Sequence, residues 1–439
     1  MNNHSHLTKN DHHLIGTLCL LFIFGNINLT MFNLAVPAIS ASFMLTSSQA
    51  SWVMVGYSIL MAIGAGTYSK LADSFSFQRL YIVGLILFAA GSIVGFFATA
   101  YWQVIIGRLL QAAGASAISP LSYAIATQYF PPNVRGQVLG ALSATIAFAS
   151  GFGPVLGGII EQYVGWHALF LVSALSIFII PLILKYVPNI EHKRGAFDIL
   201  GSILFSAGLT FILLGVTLKW LLMLIGIAFL IGFGRHIQTT VQPFIPVTFI
   251  KNLPYQRILW ISFLTFIGNT GLTFVLPIML KDTFYLPTST IGLLILPGAI
   301  SAALLGSIIG RWTDHYGSSP VLKISHCCII SGFILMGFSI HLPPWVDALW
   351  IIILMIGFNG ILTASAKLVP STLNLSELSS GMGIFTLFYL LGGSFGPAVI
   401  GRLIDLNIPF SSIYYILALL GVVSYLLIPQ NKNQENPPQ

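Results

Sequence analysis

The chain has 439 residues and a formal charge of +7, and 56% of its residues are hydrophobic against 7% charged. Soluble domains average about 25% charged residues, so this composition, with a mean hydropathy of +0.91, excludes a soluble fold and demands a partner that is itself apolar, the lipid bilayer. The basic residues are scattered through short loops, which excludes a nucleic-acid surface, and Cys19, Cys327 and Cys328 lie in apolar runs with neither metal nor redox spacing.

In chain order, a polar tail (1–13) with His4, His6, His12 and His13 comes first. It reads as a short tail, not a metal site. The apolar run behind it is too long for a signal-peptide core, so the first helix is expected to stay. A membrane-crossing helix needs about 20 apolar residues. That ruler predicts spans at 14–37, 50–70, 80–99, 103–126, 136–160, 166–187, 197–217, 219–235, 257–280, 289–310, 321–341, 345–369, 380–403 and 410–429. Fourteen spans put both termini on one side. Lys9, Lys70, Arg79, Arg135, Lys193, Arg194, Arg311, Lys323 and Lys432 are among the cations on that side, whereas Lys219, Lys281 and Arg402 fall opposite, so both termini are expected in the cytoplasm.

The polar breaks at 188–195 and 235–257 divide the chain into a six-helix half (14–187), an inserted helix pair with flanking loops (188–256), a second six-helix half (257–429) and a tail (430–439). The expected fold class is an all-α polytopic membrane protein of two pseudo-symmetric halves plus the insert. The fifth helix carries Ser150-Gly151-Phe152-Gly153-Pro154-Val155-Leu156-Gly157-Gly158, followed by Glu161. The thirteenth repeats it as Ser394-Phe395-Gly396-Pro397-Ala398-Val399-Ile400-Gly401, followed by Asp405. Glycines and a proline weaken an apolar helix and allow a neighbour to approach backbone to backbone, and such repeats mark internally duplicated membrane proteins with moving halves.

Arg108 enters about two turns below the outer end of the fourth helix, where a charge is costly unless it pairs or meets water; Gln111 lies one turn on. The acids, from Asp11 and Asp73 through Asp314 to Glu435, all lie in loops or near helix ends, leaving no mid-membrane carboxylate. Asn26, Thr30 and Asn33 share one face of the first helix, as Thr265, Asn269 and Thr273 do on the ninth; Asn359, Thr363 and Lys367 form a ladder on the twelfth. These faces are candidates for a neutral or anionic cavity at the midplane or, equally, for hydrogen bonds between helices. No metal cluster, nucleophile motif or phosphate loop argues for an enzyme or a cofactor.

With these motifs the chain resembles the major facilitator superfamily, in particular its fourteen-helix drug/proton antiporter branch and the bacterial tetracycline-efflux type. The residues that carry the likeness are the loop Ser69-Lys70-Leu71-Ala72-Asp73-Ser74-Phe75-Ser76-Phe77-Gln78-Arg79 and Gly107-Arg108-Leu109-Leu110-Gln111-Ala112-Ala113-Gly114. The helix-five phrase and Gly195-Ala196-Phe197-Asp198-Ile199-Leu200-Gly201 complete the set. The resemblance implies that Asp73 and Arg79 hold an inner gate and that Arg108, through Gln111, serves proton coupling or fixes a helix interface. It also implies that Gly153, Pro154, Gly157, Gly158, Gly396 and Pro397 form a flexible seam. The second loop copy, Gly310-Arg311-Trp312-Thr313-Asp314-His315-Tyr316-Gly317, keeps both glycines that the first replaces with Ser69 and Ser76. Tetracycline-type members place acids in helices one, five and thirteen, where this chain has Leu29, Ser150 and about Gly393. That departure leaves Glu161 and Asp405 as the titratable candidates.

The expectation is a secondary active exporter in a bacterial inner membrane, driven by protons and moving a small amphipathic molecule. A dedicated metabolite or siderophore carrier stands as the alternative, with a transporter-like sensor behind it. Nothing in the sequence dictates a dimer, and a monomer is expected.

Overall fold

The computed structural model describes residues 8–72, 75–189, 198–240, 243–374 and 378–428, and every regular element among them is a helix. Thirteen are long and apolar enough to cross a membrane. They are α1 (Lys9–Phe43), α2 (Ser47–Leu71), α3 (Phe77–Phe96), α4 (Tyr101–Ala126), α5 (Pro132–Tyr163), α6 (His167–Tyr186), α7 (Ile199–Thr217) and α8 (Leu221–Thr239). After them come α9 (Leu253–Phe284), α10 (Thr288–Tyr316), α11 (Ser318–Ser339), α12 (Trp345–Leu368) and α13 (Leu378–Asp405). A fourteenth, α14 (Phe410–Leu426), is shorter. The all-α architecture and the order of spans follow the sequence.

Boundaries differ where polar residues cut an apolar run without ending the helix. α1 begins at Lys9 because Thr8 and Asp11 close a capping box, the Asp11 carboxylate accepting the Thr8 N–H at 2.8 Å. It runs to Phe43 and stops at Met44, whose φ of 49° is left-handed. α5 continues unbroken from Pro132 to Tyr163 through Pro154. The seam proline therefore does not divide its helix. α4 is interrupted at Ser116 and Ala117, and α6 holds a 3₁₀ turn at Leu175–Ile179.

Small residues set the helix distances, as expected where lipid tails compete on equal terms with apolar side chains. A Cβ on Gly107 of α4 would meet the Gly91 carbonyl of α3 at 2.9 Å, and one on Gly91 would meet the Gly107 carbonyl at 2.5 Å. In the second bundle a Cβ on Gly357 of α12 would lie 2.8 Å from both the Ser325 carbonyl and Ile329 of α11. Gly357 is the counterpart of Gly114, a Cβ on which would meet the Gly84 carbonyl and Phe88 of α3; Gly84 and Ser325 are each the eighth residue of their helix. The bundle of α9–α14 has a continuous apolar core around Phe274, Phe333, Leu354, Ile361 and Leu417; the core of α1–α6 is built on Phe22, Tyr57, Phe88, Leu121 and Ile183.

The inserted pair is tied to its surroundings by Asp198. Its carboxylate accepts the Gly201 N–H at 2.8 Å at the start of α7, the Phe244 N–H at 2.9 Å, and pairs with His236 Nε2 of α8 at 2.7 Å. Trp52 of α2 donates to Thr217 Oγ1 of α7 at 2.9 Å.

Candidate functional site

Arg108 is 1% exposed, in the interior of the first bundle. Its Nη1 donates to Asn28 Oδ1 at 2.8 Å and Gln111 Oε1 at 3.0 Å, and its Nε donates to the Val53 carbonyl at 3.2 Å. The guanidinium lies between the Phe32 and Tyr57 rings, 4.1 and 4.0 Å from their centroids. Gln111 Nε2 donates onward to Ser92 Oγ at 2.9 Å, and Asn28 Nδ2 to Ser173 Oγ at 2.6 Å. One cation therefore joins α1, α2, α3, α4 and α6. No ion pair to it occurs among the described residues, and its Nη2 is buried without a partner. Neutral acceptors and two π faces must offset the burial of the charge.

Asn28 was not singled out from the sequence, yet a signal existed. At 100° per residue it stands on the face opposite Asn26, and an amide turned into an apolar bundle requires a polar partner there.

The seam motif forms two close approaches within the bundles and two between them. A Cβ on Gly153 would collide with Thr30 Oγ1, and one on Gly157 would lie 2.5 Å from the Met31 carbonyl, so α5 rests directly on α1. In the repeat, Gly396 stands against Thr270 of α9. At the end away from the termini, Gly158 of α5 faces the Thr288 carbonyl of α10 (2.6 Å to a built Cβ), and Gly401 of α13 faces the Ser47 carbonyl of α2 (2.7 Å). Two pseudo-symmetric crossings, α5 on α10 and α13 on α2, seal that end.

Asp405 completes one crossing. Its two carboxylate oxygens accept the Ser47 and Ser48 N–H groups at 2.7 and 2.9 Å, placing a negative charge on the N-terminus of α2. Its counterpart across the pseudo-symmetry is Gln162, whose Oε1 accepts the Ser289 N–H of α10 at 3.2 Å. The sequence pairing of Asp405 with Glu161 is thereby corrected. Counting from the shared Gly-Pro step puts Asp405 opposite Gln162, and the crossing geometry agrees. Glu161 is half-buried with Oε2 enclosed and unpartnered.

The proposed cavity residues are partly engaged in packing. Asn26 Nδ2 donates to the Phe22 carbonyl at 3.0 Å and Thr30 Oγ1 to the Asn26 carbonyl at 2.9 Å, while Asn33 Oδ1 is buried without a partner. Asn269 is half-buried on α9, and Thr273 donates to the Thr270 carbonyl at 3.0 Å. Asn359 Nδ2 donates to the Ala302 carbonyl of α10 at 3.3 Å, and Lys367 Nζ to the Thr313 carbonyl at 2.8 Å, so the α12 ladder binds α10. Asp73 lies outside the described residues, as does the side chain of Asp314; Arg79 is exposed in the first turn of α3. Among the described residues no cluster of His, Cys, Asp or Glu could hold a metal ion.

The sequence matches the Major Facilitator Superfamily over residues 18–253 and 258–439. It is 27% identical over 316 residues to the riboflavin transporter RibZ of Clostridioides difficile, covering 70% of this chain and 69% of that protein. It is 28% identical over 341 residues to multidrug resistance protein 3 of Bacillus subtilis, covering 72% and 65%. The fold is similar to that of a D-xylose-proton symporter, with a TM-score of 0.72 at 14% identity over 95% of this chain and 97% of that one. A similar match is the human organic anion transporter MFSD10, at 0.68 and 13% over 96% and 100%.

Proposed function

The chain belongs to the major facilitator superfamily, and on that premise we propose that it is a proton-coupled secondary exporter of a small amphipathic molecule. It would lie in a bacterial inner membrane with both termini in the cytoplasm and work as a monomer. The observation that carries this reading is the pair of glycine-lined crossings, α5 on α10 and α13 on α2, sealing the end away from the termini. Contacts made backbone to backbone and latched by a few polar bonds can separate as units. Rocking of the halves about them gives alternating access. Arg108 then stiffens the first bundle as a rigid lever and supplies its fixed charge, while Glu161 and Asp405 are the titratable groups at the sealed end. Asp73, Arg79 and Asp314 would gate the opposite end.

A second reading, a dedicated carrier of one metabolite, is favoured by the likeness to a riboflavin transporter and by the absence of a mid-membrane carboxylate for a cationic drug. Inverted membrane vesicles with an inside-acid pH gradient separate the two. Collapse of the gradient on adding dyes, tetracyclines or fluoroquinolones supports proton antiport of drugs, and collapse with riboflavin alone supports the carrier. No collapse with any compound, the protein being present, overturns proton-driven export.

A further inference from the structure

The hairpin joining α7 to α8 and the last turn of α13 border a cavity of about 370 Å³ at the end away from the termini. Gly215, Leu218, Lys219, Trp220 and Leu221 line it from the hairpin, and Arg402 lines it from α13. The hairpin is tightly built, because a Cβ on Gly215 would collide with Met223 of α8. It is also held over the α13 crossing. Thr217 accepts the Trp52 indole N–H of α2 at 2.9 Å, and Leu213 packs with Val55 and Ile59 of α2 and Ala398 of α13. Arg402 follows the Gly401 that meets Ser47 and stands one turn before Asp405, so the cavity adjoins the latch. Its charge sets it apart. Among the described residues, Lys219, Lys281 and Arg402 are the Lys and Arg side chains at this end, and two of them line this one cavity. No acid lines it and neither cation is in an ion pair among the described residues, while the nearby Asp405 carboxylate is committed to the Ser47 and Ser48 amides. Two cations gathered without an acid repel each other, and an anion between them relieves that cost.

We propose that this cavity binds the phosphate of an anionic phospholipid headgroup, which Lys219 and Arg402 hold between them. Both side chains donate charge-assisted bonds to a phosphate, and the volume is that of a small-molecule pocket. A free phosphate offers the same chemistry. The surroundings choose the lipid, because Leu218, Trp220 and Leu221 are exposed beside the cations, an apolar rim with the aromatic residue typical of headgroup level. A free ion would leave that rim in water. A zwitterionic lipid would bring an ammonium group up to the two cations, so an anionic one is preferred. One headgroup bonded to both cations joins the hairpin to α13 beside the Asp405 latch and so favours the closed crossing. A ligand that bridges the closed crossing better than the open one shifts the balance by its difference in affinity. That consequence rests on the alternating-access reading above, whereas the site itself does not.

The test is lipid binding to the purified full-length protein in detergent, counted by native mass spectrometry. Dioleoyl phosphatidylglycerol is the probe, and dioleoyl phosphatidylcholine and glycerol 1-phosphate are the comparisons. The expected result is a saturable phosphatidylglycerol site that neither comparison compound fills. Lys219→Gln and Arg402→Gln should each weaken it about fivefold and the double variant about thirtyfold, the worth of one and two basic groups at an anionic headgroup. Lys219→Arg, which keeps the charge, and Lys281→Gln, which removes a cation outside the cavity, should both stay within about twofold. The first shows that the hairpin tolerates change. Equal binding of phosphatidylcholine, or unchanged binding in the double variant, overturns the proposal, and displacement of the lipid by glycerol 1-phosphate overturns the choice of a lipid over a free phosphate. Exchanging phosphatidylcholine for phosphatidylglycerol in nanodiscs should also lower cysteine labelling from the sealed side about threefold, and not in the double variant. Lipid binding without that change would sink the role in closure. Binding is read without gradient or substrate, so a lipid site in a protein that moves no compound in vesicles would sink the exporter reading alone.

Discussion

Gly114 and Gly357 bring α4 and α12 into the same contact with their neighbours, at Gly84 and Phe88 of α3 and at Ser325 and Ile329 of α11, so the residues that precede them can be compared place by place. Six and three residues before Gly114 stand Arg108 and Gln111. Six and three residues before Gly357 stand Ile351 and Leu354, both 0% exposed. One bundle buries a cation with a hydrogen-bond network across its helices, and the other fills the same layer with hydrocarbon. Both pack. The duplicated architecture therefore does not need the polar knot to hold itself together, and replacing buried polar groups with well-fitted apolar ones is often neutral for stability. A charge kept at such cost where its counterpart is an isoleucine points to work other than packing.

The largest expected effect comes from making the first bundle resemble the second. Arg108→Met with Asn28→Leu and Gln111→Leu removes the knot while leaving Ser92 and Ser173 bonded to the Phe88 and Leu169 carbonyls. Stability should change by no more than about 1–2 kcal/mol, measured by thermal unfolding in detergent, while transport in vesicles falls to background. Arg108→Ala alone should also abolish transport with membrane abundance retained. Normal transport in the triple variant would break the comparison, and an unfolded triple variant would show that the knot is structural after all.

The seam offers a second contrast. Gly157 lies on the Met31 backbone, whereas its counterpart in the repeat is Ile400, packed against Gly271 at 3.3 Å. The small residue has changed helices. Gly157→Leu must therefore push α5 off α1, and in a background lacking Cys19, Cys327 and Cys328 it should stop single cysteines from exchanging their labelling between the two sides. Ile400→Ala keeps α13 in place and should leave exchange within about threefold. Equal behaviour of the two variants would erase the contrast.

Smaller shifts are expected at the latches, where the counterparts differ by one charge. Asp405→Asn weakens the bonds to the Ser47 and Ser48 amides and should cost roughly 1 kcal/mol at a helix N-terminus, raising labelling from the sealed side about fivefold. Gln162→Glu adds the charge at the α10 N-terminus and should shift labelling the other way. Movement in the same direction would mean that the crossings are not equivalent.

Much of the fold was legible because length and hydropathy alone specify a membrane span, and the Gly-Pro phrase announced its own repeat. Boundaries were not, since a cap such as Thr8 and Asp11 extends a helix past the polar residues that end its apolar run. At the site, Arg108 and Gln111 could be named because a mid-span cation is conspicuous. Asn28, Phe32 and Tyr57 could not, because their role follows from which helices pack around α4, and an apolar ring carries no mark of the charge it will cover. Asp405 was visible as an acid at a helix end, but its attachment to α2 depends on a crossing between distant segments.

The smallest effect is also the one that links the latches to energy input. Glu161 and Asp405 sit at the sealed end, one with an enclosed, unpartnered oxygen and the other committed to two backbone amides. Replacing the Asp405 carboxylate by an amide removes the charge that its bonds depend on and should loosen the α13 crossing; Glu161, beside the α5 crossing, has an oxygen that no backbone group competes for. Neutralising both, Glu161→Gln with Asp405→Asn, should flatten the pH dependence of transport while leaving substrate binding within about twofold. Asp405→Asn alone should move only the open-to-closed ratio. A full pH profile in the double variant would remove both acids from coupling and leave the crossings as pH-independent latches. A flattened profile from Glu161→Gln alone would assign the proton to the first-bundle side, where the fixed charge of Arg108 already sets the two bundles apart.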